Sequence, residues 1–587
     1  MAASISRTVR YGWFLLFIAG LGGLLYGIDV GIIAAALLYL NKTINLTVEQ
    51  TSIIVAAVLG GSMFSSLVAG VLADWFGRKR MMIVSGMMFV ASVGLIVVSQ
   101  GFVALVVGRL LQGMSGGVIA VVVPLYLAEC LGPDNRGRGT AIFQFMLTFG
   151  IVIAAVTGWF YTRGAEAAIA AAAGNRELIL AAENHAWRGM FLSVIYPGIV
   201  FFLGAFFLSE SPRWLTRRGR SDEALAALRR STSEDEAQLQ MKEMQTLADE
   251  NLERVAAKST GSLLQRKYVI PFVLACVILG LNQATGINSV LGFLVIILKQ
   301  AGMTASHATQ GDVAVKVLNC VMTIVAVALV DKKGRKFLLK LGTGGIVLAL
   351  AAGGLFFLGF ESKRADVKAQ VVSAESDNSV ALPLSSLNVD SAAGGRSMVL
   401  TVLYSYGSGD NIATVLNDSP GAALAIAPEK KSPPVSHHGL MALFDRFGSL
   451  FKSDDSGQLV IKRALYGPVP PERTGWLITA CLGLFIASYS VGPGVVVWLA
   501  LSELMPTRIR STGMGIALLL NQGVSTLIAA VFLPVVGHYG FFAMFFFWSA
   551  CTVIYFLTAA FFLPETKGRT LEEIEMHFEK GGSEALT

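Results

Sequence analysis

Residues 11–40 read YGWFLLFIAGLGGLLYGIDVGIIAAALLYL, thirty residues holding a single charge, Asp29. An apolar run of about 18 residues or more predicts a membrane-spanning helix. A carboxylate inside one costs roughly 2.5–3.5 kcal/mol on insertion, so such residues are expected to be paired and functional. Arg109, in the fourth apolar stretch, is the second charge of this kind. With a cytosolic start, span 1 runs outward and span 4 inward. Asp29 then lies 11 residues before Leu40, or about 16 Å at the helical rise. Arg109 lies seven residues after Phe102, or about 10 Å by the same rise. One level in the membrane can hold both, and an Asp–Arg pair there would be a protonatable switch. The pattern predicts a transporter.

The whole chain agrees: 54% of residues are hydrophobic, 14% are charged, and the mean hydropathy is +0.64. Soluble domains carry about a quarter charged residues. Twelve spans are predicted, at roughly 11–40, 50–73, 81–100, 102–128, 139–162, 188–208, 268–298, 312–330, 337–360, 475–502, 512–536 and 541–563. The first apolar run is too long for a cleavable signal peptide, and no small-residue cleavage site follows it. Short loops such as DWFGRKR (74–80) and DKKGRK (331–336) are densely basic, whereas those at 41–49, 299–311 and 537–540 are not. The positive-inside rule then places the basic loops and both termini in the cytosol, in a multi-pass cell membrane protein. The net charge of +7 reflects this topology, so nucleic acid is not an expected partner. Cys130, Cys276, Cys320, Cys481 and Cys551 fall in spans or at a span end, without metal-ligand spacing, so no disulfide framework is expected. No nucleophile–base set, nucleotide loop or metal cluster is visible. An enzyme activity and a cofactor are not expected.

The chain also repeats itself. Asp74-Trp-Phe-Gly-Arg-Lys79 after span 2 and Asp331-Lys-Lys-Gly-Arg-Lys336 after span 8 both read D-x-x-G-R-K, 257 residues apart. Glu129 with Arg136 and Arg138 after span 4 matches Glu503 with Arg508 and Arg510 after span 10. These glutamates are 374 residues apart, or 260 once the 114 residues of 361–474 are subtracted. A looser pair is Glu210-Ser-Pro-Arg213 and Pro564-Glu-Thr-Lys567. Two six-helix halves in parallel repeat are a transporter plan with the substrate between them near mid-membrane. Acidic residues at matching offsets suggest a cytosolic gate. Asp74, Glu129, Asp331 and Glu503 would pair with Arg78, Arg136, Arg335 and Arg508 across the closed inner ends, with Arg213 nearby.

These motifs resemble the sugar porter family of the major facilitator superfamily, over roughly 10–360 and 475–575. The marks are GIDVG (27–31), DWFGRKR (74–80), GRLLQGMSGG (108–117), PLYLAE (124–129), ESPRWL (210–215), NQATGIN (282–288), GPGVVVW (492–498), SELMPTRIRSTG (502–513) and PETKG (564–568). The resemblance implies that Gln144, Gln283, Asn288 and Asn521, with Asn282 beside them, bind sugar hydroxyls and that Trp498 packs on the ring. The chemistry suits that role: amides match vicinal hydroxyls, and an aromatic face suits the C–H side of a pyranose. Each amide could instead be a helix–helix hydrogen bond. Gly286 is expected to let span 7 bend. The chain departs from the family at Asn282, Gly292, Phe293, Val495, Val497 and Gln522, so a polyhydroxy substrate is implied but not which one. The loss of prolines at Val495 and Val497 should stiffen span 10. An aspartate at position 29 resembles the proton-driven members. Burial and a neighbouring guanidinium act oppositely on a carboxylate's hold on a proton, so relative motion of Arg109 would load and unload Asp29. A static salt bridge is the competing reading.

The expected division is 1–208 for the N-terminal half, 209–267 for a cytosolic helical linker, and 268–360 with 475–563 for the C-terminal half. An extracytoplasmic insert at 361–474 and a cytosolic tail at 564–587 complete it. The insert carries eleven basic and twelve acidic residues and strand-like pieces at 397–406 and 458–467. It is expected to be disordered or a small module, with His437 and His438 exposed rather than metal-bound. The Ala-rich stretch 163–187 is expected to be a short helical excursion. The reading is an all-α membrane protein, expected to be monomeric, that imports a monosaccharide or polyol with a proton. An uncoupled facilitator or a non-transporting sensor remain as alternatives.

Overall fold

A computed structural model describes residues 2–131, 133–256, 266–387, 397–407, 409–417, 422–428, 457–505, 510–565 and 578. Twelve helices among them are long and apolar enough to cross a membrane. Spans 1–6 are Val9–Thr43, Val48–Phe76, Arg78–Val98, Phe102–Cys130, Ala141–Ala171 and Arg176–Phe206. Spans 7–12 are Tyr268–Gln300, Ala305–Val330, Arg335–Glu361, Glu472–Val497, Gly513–Tyr539 and Phe541–Phe561. The stretch 163–187 is helical, but as the continuation of spans 5 and 6, which meet in a turn at 172–175. Spans 1–6 pack together and spans 7–12 pack together, with spans 1, 2 and 5 of the first half against spans 7, 11 and 8 of the second. Below, the basic end is the one carrying DWFGRKR and DKKGRK, and the insert end is the opposite one.

The sequence repeat has a structural cause. At Gly77 and Gly334 the backbone turns with φ of +97° and +85° before spans 3 and 9 begin. This left-handed region is open to glycine. The orphan N–H groups of each new helix then meet a carboxylate from the end of the same half. Glu210 Oε1 accepts from the backbone N–H of Arg78 and Lys79 at 2.9 and 3.0 Å. Glu565 Oε1 and Oε2 accept from those of Arg335 and Lys336, both at 3.0 Å. A carboxylate at a helix N-terminus answers both the unpaired donors and the helix dipole. ESPRWL and PETKG therefore owe their resemblance to one shared task, closing spans 3 and 9. Glu361 does the same for span 12, accepting from the Phe541 N–H at 3.1 Å.

Two spans are broken. Span 7 stops at Ala284 and resumes at Ile287, with Gly286 at φ +82°. Span 10 breaks at Gly492, before Pro493. Past that break the helix runs on from Pro493 through Val495 and Val497 to Leu504. Three soluble helices, Pro212–Arg217, Ser221–Ser231 and Glu234–Ala256, follow span 6 at the basic end. They dock on the last turn of span 2: Trp214 Nε1 and Arg218 Nη2 donate to the Asp74 carbonyl at 2.8 and 2.9 Å.

The insert is a β module. Strands β1 (Ala365–Asp366), β2 (Glu375–Ser376), β3 (Ser379–Pro383), β4 (Met398–Ser405), β5 (Asp410–Leu416), β6 (Ala423–Ile426) and β7 (Val460–Pro468) form two antiparallel sheets. Their orders are β1-β7-β4-β5 and β2-β3-β6. Alternating burial along β3, buried at Val380 and Leu382, shows one face turned to the module's own core. The two strand-like pieces of the sequence are β4 and β7. His437 and His438 lie outside the described residues. The module sits on the insert end of both halves. Asp410 takes Lys462 Nζ at 2.5 Å and His538 Nε2, at the end of span 11, at 3.0 Å. Its backbone N–H donates to Glu49 Oε2 at the start of span 2, at 3.0 Å.

Candidate functional site

Asp29 and Arg109 meet. Span 1 carries the aspartate at 0% exposure and span 4 the arginine at 1%. Arg109 Nη1 donates to Asp29 Oδ1 at 3.1 Å and to Gln112 Oε1 at 2.8 Å. The guanidinium carbon stands 5.6 Å from the centre of the Phe191 ring. Asp29 Oδ2 is buried with no hydrogen-bond partner. The pair is thus half satisfied: one carboxylate oxygen is held by Arg109 and the other by no protein donor. Gly116 makes room for it, since a Cβ there would lie 2.9 Å from the Tyr26 ring and 3.6 Å from Asp29 Oδ2. One turn before Asp29, the Tyr26 hydroxyl faces Ser62 and, across the divide between halves, Gln522 of span 11.

The amides gather on the other half. Asn288 Nδ2 donates to Gln283 Oε1 at 3.0 Å and to Ser525 Oγ at 2.8 Å. Gln283 Nε2 donates to Asn521 Oδ1 at 3.2 Å, and Asn521 Nδ2 to the Leu279 carbonyl at 3.0 Å. The break at Gly286 makes this possible by putting Gln283 and Asn288 on opposite sides of the kink, both turned to span 11. A Cβ on Gly286 would lie 2.3 Å from the Trp548 ring, so the kink is also wedged in place. Asn282 is fully buried beside the Tyr489 hydroxyl. Ser525, one turn after Asn521, is a member of the cluster that sequence reasoning missed. Its only signal was that helical spacing. Gln144 is half-buried on span 5 of the other half. The Trp498 side chain lies outside the described residues.

The basic-end charges of the first half form a network. Arg78 Nη2 lies 2.8 Å from Asp74 Oδ1 and donates to Glu129 Oε1 at 2.9 Å, and its Nη1 donates to the Ala73 carbonyl at 3.0 Å. Ser211 Oγ donates to Glu129 Oε2 at 2.5 Å. All these groups belong to one half. Asp74 and Arg78 pair as expected, and Glu129 joins them: the network ties spans 2, 3 and 4 to the loop after span 6. The physical reason is reach, since Asp74 and Arg78 are one helical turn apart and Glu129 ends the neighbouring helix. Arg213 is half-buried on the first soluble helix, and Arg335 opens span 9 beneath Glu565. The side chains of Arg136, Asp331, Glu503 and Arg508 lie outside the described residues.

One further charged pair escaped sequence reading. Asp312 and Lys316 are 1% and 0% exposed on span 8, with Lys316 Nζ 2.8 Å from Asp312 Oδ2. The helix begins at Ala305 rather than 312, so the pair lies within the span and not at its edge.

The family described as "Sugar (and other) transporter" matches residues 15–374 and 461–578. The probable metabolite transport protein CsbC of Bacillus subtilis is 26% identical over 569 residues, spanning 97% of this chain and 95% of its own. The D-xylose transporter of Levilactobacillus brevis is 31% identical over 351 residues, spanning 59% of this chain and 70% of its own. Among solved structures, the inward-open xylose transporter XylE from E. coli superposes with a TM-score of 0.64 at 19% identity, spanning 96% of this chain and 98% of that one. That likeness carries the major facilitator fold. With the family match running through both halves, the chain belongs to the sugar (and other) transporter family.

Proposed function

We propose that this chain imports a monosaccharide or polyol by proton symport, with the basic end and both termini in the cytosol. The observation that carries the coupling is the buried Asp29–Arg109 pair with one carboxylate oxygen left open. An intramembrane ionisable pair is expensive and marks ion pathways. Asp29 takes its proton when Arg109 withdraws and yields it when Arg109 returns. Gln283, Asn288, Asn521 and Asn282 offer amide donors and acceptors to sugar hydroxyls, and Gln144, half-buried on span 5, would add one from the first half. Coupling then runs between halves, from an acid in one to a sugar site in the other, and the proton need not touch the sugar. The basic-end network of Asp74, Arg78, Glu129 and Ser211 holds the ends of spans 2, 3 and 4 together as the halves rock.

In proteoliposomes with labelled sugars and polyols, Asp29→Asn keeps sugar exchange and loses accumulation driven by an imposed pH gradient. Undiminished accumulation in that variant would sink the coupling and favour the uncoupled facilitator.

A further inference from the structure

Asp312 and Lys316 have no part in the scheme above. Lysines near the ends of spans usually extend toward the membrane surface. Lys316 instead turns inward, 11 residues into its helix, or about 16 Å. Its Nζ makes a second hydrogen bond, at 3.0 Å, to the carbonyl of Gly31 on span 1. That carbonyl belongs to the other half and lies two residues from Asp29. One turn further along the same face of span 8, Cys320 Sγ accepts from Thr148 Oγ1 of span 5 at 3.6 Å. Other bonds between the halves lie toward the insert end, from the Ser306 N–H to Glu166 Oε1 and from the Leu533 N–H to Ser52 Oγ, each at 3.2 Å. At that end Gly292 of span 7 lies against Val55 and Ile33, where a Cβ would come within 3.0 and 3.9 Å. The halves are shut there.

We propose that Asp312–Lys316 is a latch between the halves, made through Gly31 when the insert end closes and released when it opens. The open carboxylate oxygen gives the latch its second state. Asp312 Oδ1 is buried with no hydrogen-bond partner. When span 1 moves away, the donor that Gly31 releases turns to Oδ1, and the pair satisfies itself within span 8. A group with two satisfied arrangements is a two-state element rather than a fixed brace. Its place beside Asp29 ties closure of the second half to the helix that carries the coupling acid. Lys316 is thus a positioning residue for the transport cycle.

The proposal rests on alternating access, so its test separates the two. Ile33, 2% exposed, is replaced by cysteine in a parent chain whose own five cysteines are alanine. Labelling of the new thiol by an impermeant maleimide from the insert side is timed with and without sugar. The Asp312→Asn/Lys316→Met variant removes the latch without stranding a charge. Its labelling rate should rise roughly threefold or more, the worth of one hydrogen bond between membrane helices. Lys316→Met alone leaves the carboxylate unpaired and should show the same opening with lower yield. Labelling equal to that of the parent in the double variant overturns the latch and leaves alternating access standing. A parent that is never labelled at position 33, with sugar or without, overturns both.

Discussion

Replacing Arg78 by glutamine isolates the basic-end network. The guanidinium faces two carboxylates of different exposure, Asp74 at 57% and Glu129 at 5%. Losing the contact with exposed Asp74 costs about 0–1 kcal/mol. Glu129 is another matter. Without Arg78 it keeps the Ser211 hydroxyl at 2.5 Å but no cation among the contacts described, and breaking such a buried pair costs about 3–5 kcal/mol. Arg78→Gln should therefore destabilise by about 3–5 kcal/mol, and Glu129→Gln by less, because Arg78 keeps Asp74 and the Ala73 carbonyl. The double variant strands neither charge. It should fall short of the sum by about 2 kcal/mol, within the range seen for contacting residues. Denaturant titration of the four proteins in mixed micelles, followed by tryptophan fluorescence, gives the cycle. Additive losses would refute the reasoning, since they would mean that Arg78 and Glu129 do not sense one another. Asp74→Asn serves as the internal control and should cost less than about 1 kcal/mol.

Two further outcomes follow from span 7. Gly286→Ala places a Cβ at φ +82° and 2.3 Å from the Trp548 ring, so strain and overpacking together cost about 2–5 kcal/mol. This is read as a lower Tm in detergent, and an unchanged Tm would contradict the kink geometry. Gln283→Ala should raise the sugar concentration for half-maximal uptake roughly five- to tenfold, the worth of about one hydrogen bond. An unchanged value would assign the amide to helix packing alone.

Much of this was legible in the residues. A charge inside an apolar run is visible without any structure, and counting residues from each span end brought Asp29 and Arg109 to one level. Gly286 between two amides foretold the break in span 7. The Asp312–Lys316 pair was hidden by the same logic that revealed Asp29. Two charges near the start of an apolar run shorten the apparent span, and the pair then reads as a helix end in water. Glu210 and Glu565 were visible as a repeat but not as caps, because their partners are backbone N–H groups that carry no sequence signal. The basic loops were partly legible: matching offsets brought Asp74 to Arg78, but not the second carboxylate, Glu129, that the same guanidinium meets.

The β module enters and leaves the bundle at almost one point. Ala365 pairs with Tyr466 across β1 and β7, and Met398 of β4 pairs with Pro468 where the chain returns to span 10. Neighbouring strands lie about 4.8 Å apart, a gap that an ordinary tight turn also bridges. Spans 9 and 10 are therefore spaced as they would be by a short loop. A segment of 114 residues adds nothing to the strain on the helices it interrupts. It is a cassette, and among the described residues its strands bond the helices at Glu49, Gly537 and His538.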